Sequence, residues 1–179
     1  MGGKIRIALI GIGNCACSLA QGISYYSEDD SRDGLWHRSV GGYRVNDIEI
    51  VEAFDIDAKK IGLDLSEAIF SKPNVAKKYF GVKLSNLKVK RGFLYDEFSH
   101  HLRNSFDIKN GEPYDMIDRL KNGRVDVLVN LISSGLDKTS KFYAEVAIKA
   151  GCCLINATPS LIASDENLVR KFEEENLDV

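Results

Sequence analysis

Residues 4–16 read KIRIALIGIGNCA, and this stretch decides the predicted fold. Its first seven residues are mostly apolar and β-branched, which is typical of a strand buried in a parallel sheet. The pattern G-x-G-x-x-A follows, and apolar residues then recur at helical spacing (Ala16, Leu19, Ala20 and Ile23). A strand, a glycine turn and a helix in this order predict a dinucleotide-binding unit.

Each small residue of this turn has a physical role. Gly11 permits the tight turn, and Gly13 leaves the backbone open to a diphosphate because it has no side chain. Ala16 is small enough for the helix to pack closely on the strand, and the helix N-terminus offers N–H donors and partial positive charge to phosphates. We therefore predict cofactor contacts at Gly11 and Gly13. The alternative is a tight turn with a purely structural role.

Predicted strands and helices alternate along the rest of the chain. We predict strands at residues 48–54, 87–91, 125–131 and 152–156, and helices from Asp57 to about residue 69, over 113–121, over 137–150, and after a cap at Ser164 or Asp165. This alternation predicts an α/β fold, a Rossmann-like doubly wound parallel sheet with helices on both faces. Residues 27–47 and 93–110 show no clear period, and the first of these loops is long enough to indicate a functional or partner-facing insertion.

Ligands of such sheets bind at the carboxyl ends of the strands. Asp55 ends the second predicted strand. A carboxylate at that position accepts hydrogen bonds from the ribose hydroxyls and disfavours a 2′-phosphate, which favours NAD over NADP. Helix capping is the alternative role for Asp55, although Asp57 fits that role better.

Two further loops at this edge carry candidate contacts. After the fourth strand, Ser133, Ser134 and Gly135 offer backbone N–H groups to the cofactor, or form an ordinary connecting turn. After the fifth strand, the amide of Asn156, next to Ala157, bonds the cofactor carboxamide or a substrate hydroxyl, or satisfies loop backbone. We include both serines, Asn156 and Ala157 among the predicted cofactor contacts.

The composition excludes several classes of protein. With 24 Lys and Arg residues against 26 Asp and Glu, the net charge is −2, so there is no basic surface to attract nucleic acid or an anionic membrane. The longest apolar run is far too short to span a bilayer, and we predict a cytoplasmic protein. The cysteine and histidine spacings match no metal site, so we predict no metal, small buried cysteines and surface histidines (Cys15, Cys17, Cys152, Cys153, His37, His100 and His101).

Residues 11–26 read GIGNCACSLAQGISYY, and this stretch strongly resembles the opening of the prokaryotic type of myo-inositol-1-phosphate synthase. Later segments are similar to the same family, namely residues 53–62, 64–66, 125–129, 141–144, 156–159 and 162–165. The resemblance therefore covers nearly the whole chain. The pattern G-x-G-N-C-A-x-S-L-x-Q-G-x-x-Y-Y is also much more specific than a bare glycine fingerprint.

The resemblance implies an isomerase of inositol and phospholipid biosynthesis. In this family, bound NAD oxidises glucose 6-phosphate at C5, C6 of the resulting enolate attacks the C1 aldehyde, and NADH reduces the product to myo-inositol 1-phosphate. Glucose 6-phosphate is thus the implied substrate, and NAD is the implied cofactor. The resemblance also implies that Asn14, Cys15, Asp64 and Tyr143 contact NAD together with Asp55.

Members of this family are about twice as long as this chain, and their phosphate-binding lysines and tetramer-forming sheet lie in the second half. The resemblance therefore implies that residues 1–179 are an incomplete NAD(P)-binding Rossmann domain without the catalytic residues. The implied partner is a complementary C-terminal fragment or further copies in a homo-oligomer. Two alternatives stay open, a stand-alone non-catalytic NAD-binding module and the cofactor domain of an NAD-dependent dehydrogenase.

Overall fold

Five parallel strands form one sheet in the computed structural model, which describes residues 3–29, 33–82, 86–97, 106–111 and 113–179. The strands are β1 (Ile5–Ile10), β2 (Ile48–Asp55), β3 (Lys90–Arg91), β4 (Val127–Asn130) and β5 (Cys153–Asn156). Their order in the sheet is β3-β2-β1-β4-β5, so the chain leaves β1 first towards one edge and later towards the other. This reversal creates a crevice at the carboxyl end of β1, which is where such sheets bind ligands.

Helices cover both faces of the sheet. They are α1 (Asn14–Glu28), α2 (Leu65–Ala68), α3 (Pro113–Asn122), α4 (Asp137–Ala150) and α5 (Glu166–Glu174), with a short 3-10 turn at Val45–Asp47. Ile7 and Leu9 of β1 belong to an apolar cluster with α1 and α2, whereas Ala8 and Ile10 belong to another cluster with α3, α4 and α5. Side chains that alternate along a strand point to opposite faces, so the two clusters lie on opposite sides of the sheet. The predicted Rossmann-like fold class is confirmed.

Local signals explain where the later helices begin and end. The helix predicted at residues 137–150 is confirmed as α4, and it ends at Gly151, whose φ of +76° is the left-handed conformation that favours glycine. The carboxylate of Asp165 accepts hydrogen bonds from the N–H groups of Asn167 and Leu168, which confirms one of the two predicted caps. The helix predicted at residues 113–121 is confirmed as α3.

The helix predicted to start at Asp57 is wrong. Residues 58–62 form turns, and α2 begins only at Leu65, where the Asp64 side chain accepts a hydrogen bond from the N–H of Ser66. The reason is Gly62, whose φ of +87° turns the chain away from a helical path.

The third strand is shorter than the predicted residues 87–91. Only Lys90–Arg91 pair with β2. The preceding residues bond instead to the turn before α2, because Gly62 N–H donates to Val89 O at 2.8 Å and Leu65 N–H donates to Leu87 O at 2.8 Å. A contact between two loops therefore replaces part of the predicted ladder.

The cysteine prediction is partly wrong. Cys17 and Cys152 are buried as expected, and burial raises the pKa of both thiols, that of Cys152 to about 11. Cys15 is exposed, however, because it lies in the first turn of α1 at the open edge of the sheet, and Cys153 is half-buried.

The insertion before β2 is largely exposed where it is described, at residues 27–29 and 33–47. His37 lies on its surface as predicted, whereas His100 and His101 lie outside the described residues. Among the described residues, no helix has the length and apolar character needed to cross a membrane. The same part of the chain contains no group of three His, Cys, Asp or Glu side chains that could hold a metal ion.

Candidate functional site

A cavity of about 390 Å³ lies at the carboxyl ends of β1, β2 and β4. One side is formed by the glycine turn between β1 and α1, and the other by apolar side chains after β3 and on α4. The lining residues are Ile10, Gly11, Gly13, Asn14, Cys15, Phe54, Asp55, Ile56, Lys60, Pro73, Asn74, Phe93, Leu94, Phe106, Ile132, Ser133, Leu136, Thr139 and Tyr143.

The two glycines of the turn are needed for different reasons. Gly11 has a φ of +84°, and a Cβ there would lie 3.0 Å from Leu131 O, so a side chain would be both strained and crowded. A Cβ at Gly13 would meet nothing within 4 Å. The backbone at Gly13 is therefore bare on the side of the cavity.

The N-terminus of α1 opens into the cavity at this bare position. Gly13 is the N-cap of α1, and no side chain caps the helix. The first N–H groups of a helix have no partner within it and carry partial positive charge. The turn is therefore suited to bind an anionic group such as a phosphate.

Asp55 lies beside this turn, and its side chain is already engaged by the protein. Its Oδ2 accepts from Ile12 N–H at 2.7 Å and its Oδ1 accepts from Asp57 N–H at 2.9 Å. A carboxylate has about four lone-pair positions, so Asp55 keeps the capacity to accept from ligand hydroxyls as well. Asp57 does not line the cavity and is completely buried.

Asn14 lines the cavity, and its side chain is also bound to the protein through its amide oxygen. Its Oδ1 accepts from the N–H groups of Val75 and Ala76, at 2.8 and 2.9 Å. These bonds hold the segment that follows Pro73 and Asn74, both of which line the cavity.

An aromatic wall closes the far side of the cavity. The Tyr143 hydroxyl donates to Phe93 O at 2.7 Å and accepts from Phe93 N–H at 2.8 Å. Burial raises the pKa of Tyr143 well above its usual value, so the hydroxyl stays protonated and can donate. Phe93 and Phe142 also pack against Tyr95 with their rings tilted, at centroid distances of 4.6 and 5.1 Å to that ring.

A second clamp holds this wall on α4. Asp96 Oδ2 accepts from Thr139 N–H at 2.7 Å, and Thr139 Oγ1 accepts from Tyr95 N–H at 3.0 Å. The predictions from sequence missed Phe93, Leu94 and Phe106, since residues 93–110 show no period that would signal a wall, and they missed Thr139, which lies within the helix predicted over 137–150.

The eleven predicted contacts divide into two groups. Seven of them line this cavity, namely Gly11, Gly13, Asn14, Cys15, Asp55, Ser133 and Tyr143. Four are not among its lining residues, namely Asp64, Ser134, Asn156 and Ala157. Asp64 is 5% exposed and caps α2, while Asn156 accepts from Asn130 Nδ2 at 3.0 Å and donates to Ser160 O at 2.8 Å. Ser134 and Ala157 are exposed beyond the strand ends.

The strand order, the glycine turn at the switch point and the cavity at the strand ends define a Rossmann-like α/β domain. An inositol-3-phosphate synthase from Mycolicibacterium smegmatis is 43% identical over 175 residues, which are 96% of this chain and 48% of that protein. The chain thus matches the N-terminal part of inositol-3-phosphate synthases, and the resemblance found in the sequence is confirmed.

Solved structures support the same assignment of fold. Ari2 superposes with a TM-score of 0.81 at 26% identity, over 96% of this chain and 52% of Ari2. A myo-inositol-1-phosphate synthase-related protein from Thermotoga maritima gives a TM-score of 0.75 at 18% identity, over 97% of this chain and 53% of that one. No protein-family model matches the chain. The chain spans about half the length of the curated relatives it matches.

Proposed function

We propose that the cavity binds NAD and that the chain is the cofactor-binding part of an inositol-3-phosphate synthase. The observation that carries the first statement is the bare N-terminus of α1 at Gly13, where neither a Cβ nor a capping side chain stands between the helix N–H groups and the cavity. The second statement rests on the 43% identity to the Mycolicibacterium smegmatis synthase.

The residues present fit the parts of a dinucleotide. The turn at Gly13 would hold the diphosphate, and Asp55 would accept from the adenosine ribose hydroxyls. The apolar side chains of Leu94 and Phe106 would pack against the adenine, and Ser133 lies on the side of β4, towards the nicotinamide half. The contacts predicted for Asp64, Ser134, Asn156 and Ala157 stay predictions, and their positions outside the cavity give them no support.

Bound NAD would supply the hydride acceptor and donor for an internal oxidation and reduction of glucose 6-phosphate. The contribution of this chain is to bind and orient the cofactor and to exclude water from its buried side. Because the chain spans about half of the relatives, the conversion of glucose 6-phosphate to myo-inositol 1-phosphate is proposed only for the chain together with the remaining part of such a polypeptide. Assembly into a homo-oligomer and a cytoplasmic location stay predictions.

Titration calorimetry with NAD tests the binding site. The variant Gly13→Ala places a methyl group in the open space of the turn, and we expect the Kd for NAD to rise at least about tenfold. Gly22→Ala is the matched control, since Gly22 lies within α1, outside the cavity, and a Cβ there also meets nothing within 4 Å. The control should bind NAD like the wild type. Binding of NAD by Gly13→Ala with unchanged Kd, or no heat with the wild type, would refute the site.

A complementation assay tests the enzyme assignment. The chain is mixed with the part of the Mycolicibacterium smegmatis synthase that it does not match, and glucose 6-phosphate and NAD are added. We expect inositol phosphate to form without net NADH. Accumulation of NADH would favour a dehydrogenase, and the absence of any turnover with both fragments folded would favour a non-catalytic module.

A further inference from the structure

Lys60 is a buried lysine beneath the glycine turn. It is 1% exposed, and its ammonium donates to Ile12 O at 2.7 Å and to Asn74 Oδ1 at 2.9 Å. Asp55 Oδ2 lies 3.8 Å from the same nitrogen. A lysine is almost never fully buried without partners, because removing its charge from water is costly. These contacts therefore compensate the burial of the ammonium group and are part of the structure of the turn.

The contacts of Lys60 complete a clamp on Ile12, the residue between the two glycines. Ile12 N–H donates to Asp55, and Ile12 O accepts from both Lys60 and Asn74, the latter at 3.0 Å. The Ile12 side chain is fully buried in the cluster with α1. Glycines are the most flexible residues of a chain, so fixing the residue between them fixes the turn.

Lys60 also offsets a negative charge in the cavity. Asp55 is 8% exposed and lies beside the turn that would hold a diphosphate. An unpaired carboxylate at such a place would repel an anionic ligand, and the repulsion would be strong because water screens it little. The ammonium of Lys60 supplies the compensating charge at 3.8 Å.

We propose that Lys60 is a positioning residue for the diphosphate of the dinucleotide, through its hydrogen bond to Ile12 O and its positive charge beside Asp55. The inference rests on the proposed function, since it concerns the same cavity. A fixed turn does not have to be ordered when the ligand binds, and this pre-organisation increases affinity. The effect belongs to the diphosphate and not to the adenine, because the aromatic wall is held by other residues, Tyr143 and Thr139.

The variant Lys60→Met tests the inference, because methionine keeps much of the side-chain volume and removes the charge. We expect the Kd for NAD to rise about tenfold to a hundredfold. The Kd for adenine, which lacks the ribose that Asp55 would bind, is measured by ligand-observed NMR and should change less than about twofold. Lys59→Met is the matched control, since Lys59 is exposed and does not line the cavity, and both constants should match the wild type.

Asn74→Ala provides a second test that leaves the charge of Lys60 in place. It removes one donor to Ile12 O, and we expect a smaller loss of NAD affinity with adenine binding retained. If Lys60→Met does not fold, Asn74→Ala still tests whether the hydrogen bonds to Ile12 O affect NAD affinity. Unchanged NAD affinity in the folded variants, or an equal loss for NAD and adenine, overturns the inference. A wild type that binds no NAD refutes the proposed function instead, so the two failures can be told apart.

Discussion

Removing the hydroxyl of Tyr143 should loosen the aromatic wall without disturbing the sheet. Tyr143 is 1% exposed, and its hydroxyl makes two hydrogen bonds: it donates to Phe93 O and accepts from Phe93 N–H. Tyr143→Phe keeps the ring but leaves both backbone groups of Phe93 without this partner. The perturbation is therefore confined to the link between α4 and the segment that follows β3.

The expected cost follows from the burial of these groups. Leaving a buried donor or acceptor unsatisfied costs roughly 1–3 kcal/mol, so we expect Tyr143→Phe to lower the free energy of unfolding by about 2 kcal/mol. For a chain of 179 residues this corresponds to a decrease in Tm of about 4–8 °C. Tyr95→Phe is the control in the same aromatic cluster, because Tyr95 is 55% exposed, and its change should stay within about 0.5 kcal/mol.

Thermal unfolding and amide hydrogen exchange together test this reasoning. The Phe93 amide should exchange faster in Tyr143→Phe than in Tyr95→Phe, because only the first variant removes its acceptor. Equal Tm values for the two variants, or unchanged exchange at Phe93, would show that the hydroxyl does not hold the wall.

Two further predictions concern the exposed Cys15 and the helix cap Asp165. Iodoacetamide should label Cys15 readily and the buried Cys17 and Cys152 slowly, since burial raises the pKa of the two buried thiols. Saturating NAD should slow the labelling of Cys15, because this residue lines the cavity. Mass spectrometry after digestion measures both effects, and equal labelling of Cys15 with and without NAD contradicts the second. Asp165→Asn should lower the Tm at pH 7, because the Lys141 hydrogen bond holds the pKa of Asp165 below its usual value and a carboxylate with a lowered pKa stabilises the fold above that usual value. The difference should shrink as the pH falls from the usual carboxylate range through the lowered pKa of Asp165, where the side chain becomes protonated, and a difference that persists in more acidic solution would contradict the role of the charge.

The sequence motif predicted only part of the cavity lining. The pattern G-x-G-x-x-A and the strand ends were enough to predict Gly11, Gly13, Asp55 and Ser133, because each position follows from the order of local elements. Lys60 gave no such signal, since a lysine in a predicted helix normally faces water.

A contact between distant segments accounts for the shortened third strand. Residues 87–89 bond to the turn before α2 instead of β2, and nothing in the local pattern of either segment indicates this pairing. The wrong helix at Asp57 has a local cause, the left-handed Gly62, and the exposure of Cys15 depends on where α1 begins relative to the edge of the sheet.

The sequence by itself determined the alternation of strands and helices and the glycine turn, and it reduced the cap of α5 to Ser164 or Asp165, because these depend on periodicity and on backbone chemistry within a few residues. Only the tertiary structure decided that Lys60 and Asn74 hold Ile12 and that Tyr143 holds Phe93. These bonds join residues 48, 62 and 50 positions apart. Their strength comes from burial, which exists only after the sheet and its covering helices have assembled.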